Sequence, residues 1–191
     1  MKRIAILASG SGSNAENIGN YFKSNPEIEV SIILSNKKDA FVLERADKLN
    51  IPSQVFTRKE FYETNDIIDL LKTKEIDLVV LAGFMWLVPE SLIKAFPDAI
   101  LNIHPALLPN YGGKGMYGMH VHNAVINNGD KESGITIHVV NEKYDDGEVV
   151  LQTTCTIEAN DTPEDLANKV HELEYKHFPP TVENYLNRIT D

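Results

Sequence analysis

Asn102 and His104 are the two residues whose types and spacing most directly suggest chemistry. They lie two positions apart in an apolar run that predicts a buried strand, and Pro105 ends that strand. Because side chains two apart share one face of a strand, the amide and the imidazole should project together where the strand stops. In an α/β sheet this is a plausible catalytic placement. The alternative is that both side chains only satisfy hydrogen bonds of the following loop.

A second candidate site is the small-residue loop at residues 9–14, between a strand pattern and a helical pattern. Backbone N–H groups at the start of a helix attract anions, so this loop could hold a phosphate. The spacing Gly10-x-Gly12-x-x-Ala15 matches the dinucleotide fingerprint only weakly. The second predicted strand, residues 29–34, ends without the acid that would bind a ribose hydroxyl, so a monophosphate fits better than a dinucleotide. The alternative is a tight turn with no ligand.

The composition is that of an ordinary globular chain: 191 residues, 42% hydrophobic and 24% charged. We expect a single domain over residues 1–191. The formal net charge of -10 disfavours binding to nucleic acid or anionic membranes, so the expected partners are small molecules. The single cysteine, Cys155, allows no internal disulfide and suits a reducing cytoplasm. The short apolar start is expected to form a strand and not a signal peptide.

Alternating strand and helix patterns predict an α/β, Rossmann-like fold, with a mostly parallel twisted sheet and helices on both faces. An antiparallel hairpin is expected near the C-terminal end, where a polar turn joins two strand patterns. The predicted strands are residues 2–7, 29–34, 51–56, 78–82, 100–104, 133–140 and 148–157. The predicted helices follow residue 14 and Pro89 and occupy residues 40–50, 58–73 and 120–127. A final helix is predicted to start at residues 161–164 and run to about residue 174. Pro179 and Pro180 should stall this helix, which either ends there or resumes to the terminus.

Several features should meet where the carboxyl ends of the strands lie together, which is where such sheets bind ligands. Besides the two candidates above, Arg58 should lie there, either facing an anion or as a solvated cation at a helix start. The aromatic segment at residues 83–88 is either the wall of a pocket for a flat ring or core filling. The glycine-rich stretch at residues 110–118 is either a lid or a long connection.

The histidines other than His104 are expected to have minor roles. His120 and His122 do not share a helix face, so they are not expected to form a metal pair. His138 lies in a strand pattern that alternates apolar and polar residues, which predicts that its side chain faces solvent. No metal site is predicted.

Four segments carry a more specific signature. They are residues 8–14, 81–85, 101–105 and 145–152, which read ASGSGSN, LAGFM, LNIHP and DDGEVVLQ. At these spacings the chain resembles the phosphoribosylglycinamide formyltransferase family, folate-dependent enzymes of purine biosynthesis. The resemblance implies transfer of the formyl group of 10-formyltetrahydrofolate to the amine of phosphoribosylglycinamide, giving formylglycinamide ribonucleotide and tetrahydrofolate. We expect a metal-independent cytoplasmic enzyme that is a monomer or a homodimer.

The resemblance also implies a role for individual residues. The catalytic residues would be Asn102, His104 and Asp145. The phosphoribosyl substrate would bind Gly12, Ser13, Asn14 and Glu174. The folate would bind Arg58, Met85, Trp86, Leu87, Val88, Asn102, Asn141, Glu142, Lys143, Tyr144 and Asp145. Trp86 departs from the family, where a basic residue is common, and Asp146 is an additional carboxylate that we expect to cap its turn.

The chemistry of formyl transfer explains these residue types. A neutral amine attacks the formyl carbon, and the amide of Asn102 and a protonated His104 could donate to the oxygen that becomes negative. Asp145 is expected to raise the pKa of His104, which could then pass a proton toward the leaving nitrogen. Two alternatives are a formyltransferase acting on a sugar-nucleotide amine and a formyltetrahydrofolate hydrolase. A nucleotide-binding regulatory module would leave the three catalytic candidates without a role.

Overall fold

The computed structural model describes residues 1–190, which form one seven-stranded sheet and seven helices. The strands are β1 Lys2–Leu7, β2 Ile28–Ser35, β3 Ser53–Val55, β4 Leu78–Leu81, β5 Ile100–His104, β6 Glu132–Val139 and β7 Val149–Thr156. The helices are α1 Ser13–Phe22, α2 Val42–Lys48, α3 Arg58–Tyr62, α4 Asp66–Thr73, α5 Glu90–Ala95, α6 Met119–Asn128 and α7 Pro163–Thr190. The predicted third strand, residues 51–56, is shorter in the structure.

The sheet confirms the predicted α/β architecture. Its strand order is β3-β2-β1-β4-β5-β6-β7. The pairs from β3 to β5 are parallel, and the pairs of β5 with β6 and of β6 with β7 are antiparallel. The carboxyl ends of β1, β4 and β5 therefore lie side by side at one edge, and the final hairpin completes the sheet.

The hydrophobic core has two layers because both faces of the sheet are covered. Alternate residues of β1 enter different layers: Ile4 and Ile6 pack with α1, α6 and α7, whereas Ala5 and Leu7 pack with α3, α4 and α5. Burial on both faces explains why the central strands β1, from Ile4, and β4 are unbroken apolar runs. The predicted helices on both faces are thus confirmed.

Strand β6 is buried along most of its length, so the half-exposed strand that its alternating pattern predicts is wrong. It lies between β5 and β7, and two of its polar side chains, Thr136 and His138, form hydrogen bonds instead of facing water. Thr136 Oγ1 donates to the Ala106 carbonyl at 2.7 Å and accepts the Leu108 N–H at 3.0 Å. The polar side of β6 therefore anchors the loop that follows β5.

Helix α7 continues through Pro179 and Pro180, although the sequence predicts that these residues stall it. Pro179 has no N–H to donate to the carbonyl of Tyr175, four residues earlier. That carbonyl instead accepts Nδ2 of Asn17 on α1 at 2.9 Å. A side chain of a neighbouring helix thus replaces the missing hydrogen bond, and α7 can pack along the sheet without a break.

The predicted helix at residues 58–73 is divided into α3 and α4. Its start is as predicted, because Thr57 Oγ1 accepts the Glu60 N–H at 3.3 Å and Glu60 Oε2 accepts the Thr57 N–H at 2.6 Å. Between the two helices the Thr64 hydroxyl donates to the Asp66 carboxylate at 2.7 Å, and α4 begins at Asp66. Within residues 1–190, no helix combines the length and apolar character that crossing a membrane requires.

Candidate active site

A cleft of about 640 Å³ opens at the carboxyl ends of β1, β4 and β5. The segments that follow these strands line its floor: residues 10–14, 82–85 and 102–105. The loop at residues 113–119 and the turn containing Tyr144 and Asp145 line the other side, and α7 contributes His171 and Glu174. The cleft therefore lies where the sequence predicts ligand binding.

Asp145 brings three polar side chains together at one end of the cleft. Its Oδ1 accepts Asn102 Nδ2 at 3.4 Å and lies 3.6 Å from His138 Nε2. Its Oδ2 accepts the Gly113 N–H at 2.9 Å and lies 3.6 Å from His104 Nδ1. The backbone of Asp145 has a φ of 51°, which few residues with a side chain adopt. The structure thus places Asn102, His104 and Asp145 in one cluster.

The Asp145 carboxylate is charged at neutral pH although only 12% of its side chain is exposed. Burial raises the pKa of this carboxyl, but the nearby His138 ring, the attraction of His104 and the Gly113 N–H together outweigh burial. The pKa of Asp145 therefore lies below its usual value. A buried anion beside an imidazole stabilises the imidazolium as that cation forms.

His104 is buried, and its two ring nitrogens face different groups. Nε2 lies 2.8 Å from the Tyr111 carbonyl oxygen, which can only accept, so Nε2 carries the proton of the neutral ring and Nδ1 faces Asp145. Burial lowers the pKa of His104, and the attraction of Asp145 and the Tyr111 carbonyl offset this only in part. Asp145 therefore raises the pKa of His104 as expected, but burial lowers it by more, and the resting ring is neutral at pH 7.

The substitution Asp145→Asn should lower the pKa of His104 further, because it removes the attraction that favours the imidazolium. An NMR titration of the His104 ring in both proteins measures this. We expect a midpoint below 6.5 in the unmodified protein and a still lower one in the variant. A higher midpoint in the variant would show that Asp145 does not stabilise the protonated ring.

His138 belongs to this cluster, so its predicted exposure to solvent is wrong. It lies opposite Asn102 in the pairing of β5 with β6, and its side chain is 2% exposed. Its Nδ1 donates to the Val139 carbonyl at 3.0 Å, so its Nε2 accepts Asn102 Nδ2 at 3.0 Å. This bond fixes the orientation of the Asn102 amide. An alternating pattern does not reveal that both faces of a strand will be covered.

The other end of the cleft is suited to an anion. Gly12, with a φ of 73°, precedes α1, and no side chain caps that helix, so its first N–H groups are available. Asn14 Nδ2 donates to Glu174 Oε2 at 2.9 Å, and Asn14 Oδ1 is buried without a hydrogen-bond partner in residues 1–190. The structure thus brings together the four residues predicted for the phosphoribosyl substrate: Gly12, Ser13, Asn14 and Glu174.

His171 also lies at this end, and the sequence analysis does not identify it. Its Nδ1 is 2.9 Å from Glu174 Oε2, and this hydrogen bond raises the pKa of His171. The two residues are three apart on α7 and so share a face, which is the signal that could have found the pair. His122, another residue expected to be unimportant, lines the cleft with a buried Nδ1 that has no partner among residues 1–190.

The residues predicted for the folate fall into two groups. Those that line the cleft are Met85, Asn102, Tyr144 and Asp145. Those outside the lining are Arg58, Trp86, Leu87, Val88, Asn141, Glu142 and Lys143. In the turn, Asp146 Oδ2 lies 3.4 Å from Lys143 Nζ and accepts Asn141 Nδ2 at 3.5 Å, so it contacts its own turn as expected.

Residues of the aromatic segment after β4 lie in two different environments. Met85 lines the cleft, whereas Trp86 packs in an aromatic cluster with Phe56, Phe61 and Tyr62. The guanidinium of Arg58 lies 4.6 Å from the centre of the Tyr62 ring and 5.7 Å from that of Trp86. Both uses proposed for the segment, pocket wall and core filling, are therefore present. Within residues 1–190, no group of three or more His, Cys, Asp and Glu side chains is arranged to hold a metal ion.

Comparison with known proteins adds independent information. The formyl transferase family profile matches residues 2–182. The chain is 41% identical to the chloroplastic phosphoribosylglycinamide formyltransferase of Arabidopsis thaliana over 95% of the chain, but spans only 64% of that protein's length. It is 35% identical to the Bacillus subtilis phosphoribosylglycinamide formyltransferase, covering 97% of the chain and 95% of that protein. The Streptococcus pneumoniae phosphoribosylglycinamide formyltransferase structure superposes with a TM-score of 0.85 at 38% identity, covering 96% of this chain and 98% of that one.

Proposed function

Because the chain belongs to the formyl transferase family, we propose that it transfers the formyl group of 10-formyltetrahydrofolate to the amine of phosphoribosylglycinamide. The products would be formylglycinamide ribonucleotide and tetrahydrofolate, as in purine biosynthesis. The main support is geometric: Asp145 holds Asn102 and His104 at one end of a cleft whose other end presents free helix N–H groups and Glu174. An amine carried on a phosphorylated sugar could therefore reach the reacting end.

Asn102 is proposed to stabilise the oxygen that becomes negative when the amine attacks. Its Nδ2 is directed by His138 at 3.0 Å and makes only a long contact of 3.4 Å with Asp145. The long contact is the weaker of the two, so this N–H can be exchanged for the developing oxyanion. A donor placed in this way is worth about 2.7–4 kcal/mol of the barrier.

His104 is proposed to carry the proton. A neutral ring can take the proton that the attacking amine releases, and the nearby Asp145 carboxylate stabilises the imidazolium formed. The proton can then pass to the leaving nitrogen of the folate. The amine proton must be taken at Nδ1, because Nε2 already carries a proton and donates it to the Tyr111 carbonyl at 2.8 Å. Nδ1 is the nitrogen that lies 3.6 Å from Asp145 Oδ2, and it is also the nitrogen from which the proton can be returned.

At the anion end, the backbone N–H groups of residues 12–14 are proposed to hold the phosphate. Glu174, oriented by Asn14 and His171, is proposed to accept hydrogen bonds from the rest of the phosphoribosyl substrate. Met85 and Tyr144 are proposed to contact the folate, since both line the cleft close to the catalytic cluster. The residues of the folate prediction outside the lining are proposed to support this part of the site indirectly.

Gly12→Ala should weaken binding of the phosphoribosyl substrate. A Cβ at Gly12 would come within 2.3 Å of Val42 Cγ2 and 2.8 Å of the Val42 backbone, and the φ of 73° disfavours alanine. We expect the KM for phosphoribosylglycinamide to rise roughly tenfold or more from strain of about 1–2 kcal/mol and the displaced loop. Gly10→Ala is the control, since its Cβ would meet nothing within 4 Å. Equal kinetics of the two variants would contradict this role of Gly12.

A spectroscopic assay for the folate product, run with and without phosphoribosylglycinamide, tests the proposed function. We expect product only when the acceptor is present. Product formation at an equal rate without any acceptor would identify a hydrolase. Product formation with a sugar-nucleotide amine but not with phosphoribosylglycinamide would identify the alternative transferase. Either result would overturn the proposal.

A further inference from the structure

Two carbonyl groups of the anion-binding loop, residues 9–14, accept hydrogen bonds from helix α2. The Gly10 carbonyl accepts the N–H of Val42 at 3.1 Å, and the Ser11 carbonyl accepts Nε of Arg45 at 2.8 Å. Val42 and Arg45 do not line the cleft, whereas Gly10 and Ser11 do. The loop therefore lies between α2 on one side and the cleft on the other.

The orientation of these carbonyls determines the direction of the next N–H groups. In a trans peptide the C=O and N–H bonds point in opposite directions. The Gly10 carbonyl points to α2, so the Ser11 N–H of the same peptide points away from α2. The Ser11 carbonyl also points to α2, so the Gly12 N–H likewise points away from it. Neither N–H donates to an acceptor in residues 1–190. Both are thus available to a ligand in the cleft.

Arg45 is itself held in place by two further contacts. Its Nη1 forms an ion pair with Glu16 on α1, and its guanidinium lies 5.0 Å from the centre of the Phe41 ring. Only 22% of the Arg45 side chain is exposed. A side chain restrained at both ends can keep the Ser11 carbonyl in one orientation.

We propose that Arg45 is a positioning residue for phosphate binding: through the Ser11 carbonyl it keeps the Gly12 N–H directed into the cleft. The identity of the phosphate as part of the acceptor rests on the proposed function. Without Arg45, the Ser11–Gly12 peptide can rotate and present its carbonyl oxygen to the anion. Orienting the peptide then becomes part of the cost of binding.

The substitutions Arg45→Gln and Arg45→Met form a matched pair that isolates this one hydrogen bond. Glutamine places an N–H group at the position of Nε along the side chain, whereas methionine has the same length and no donor. Both remove the charge and the pair with Glu16. Calorimetric titration with inorganic phosphate measures binding without relying on turnover. Lys48→Met is the control, because Lys48 also lies over Phe41, at 5.4 Å, but does not bond to the loop.

We expect Arg45→Met to bind inorganic phosphate roughly three- to tenfold more weakly than Arg45→Gln, the range for one hydrogen bond. Lys48→Met should equal the unmodified protein. In kinetics, Arg45→Met should raise the KM for phosphoribosylglycinamide and leave the KM for the folate unchanged, a split that a general loss of stability would not produce. Equal phosphate affinity of the glutamine and methionine variants, or no phosphate binding by the unmodified protein, would overturn the proposal. Failure of the proposed function would instead appear as no acceptor-dependent turnover by the unmodified protein.

Discussion

His104→Ala should reduce kcat for formyl transfer by roughly 10²–10⁴-fold, the contribution expected of a positioned proton carrier. The variant retains Asn102 and Asp145 but has no group that can take the amine proton and deliver it to the folate nitrogen. The KM values should change little, because His104 contributes to proton movement more than to binding. Steady-state kinetics with both substrates measure this.

The control for this substitution is His120→Ala. His120 is exposed and does not line the cleft, so its removal should leave kcat within about twofold, as is usual for surface changes. A second variant, His104→Gln, can still donate to the Tyr111 carbonyl and so tests whether loss of the loop contact explains the effect. Near-normal turnover of a folded His104→Ala would remove His104 from the mechanism. Recovery of activity in His104→Gln would show that His104 acts by holding the loop through the Tyr111 carbonyl and not by carrying a proton.

Asp145→Asn should reduce kcat by roughly 10²–10³-fold with little change in size of the side chain. The substitution removes the charge that stabilises the His104 imidazolium at 3.6 Å. It also replaces one of the two carboxylate oxygens of Asp145 with an NH₂ group, which cannot accept a hydrogen bond. In the unmodified protein Oδ1 accepts Asn102 Nδ2 and Oδ2 accepts the Gly113 N–H. The proton carrier therefore loses the charge that stabilises its protonated form, and the oxyanion donor loses the weaker of its two contacts. Single-turnover measurements separate this loss in the chemical step from any change in product release.

Asp146→Asn provides a matched control on the adjacent residue. Asp146 has 54% of its side chain exposed and contacts only its own turn through Lys143 and Asn141. Its charge lies outside the cluster, so we expect kcat close to that of the unmodified protein. If Asp146→Asn were as damaging as Asp145→Asn, the net charge of the turn, and not the placement of Asp145, would be the important factor.

Patterns with a local physical cause could be read from the sequence. The buried apolar runs predict the parallel strands because covering both faces of a sheet leaves no polar side. The Thr57 and Glu60 capping box is contained within four residues, and it is present in the structure. Asn102 and His104 meet in the cleft because the two-residue period of a strand is fixed by its geometry.

Features that depend on distant residues could not be read in this way. His138 is buried because the turn containing Asp145 and Gly147 lies against its ring, and Pro179 is tolerated because Asn17 comes from another helix. The placement of Asp145 beside His104 joins residues 41 positions apart, so it came from the family resemblance and not from local pattern. The direction of the His104 pKa shift required knowledge of burial, which outweighs the nearby charge.

The most direct test of the central claim follows an isotopically labelled formyl carbon on 10-formyltetrahydrofolate by NMR in the presence of the enzyme and phosphoribosylglycinamide. The account predicts that the label moves to the formamide of the acceptor, in step with tetrahydrofolate formation, and that His104→Ala slows this movement by roughly 10²–10⁴-fold. Appearance of the label as formate, or its transfer at an unchanged rate by His104→Ala, would contradict the account.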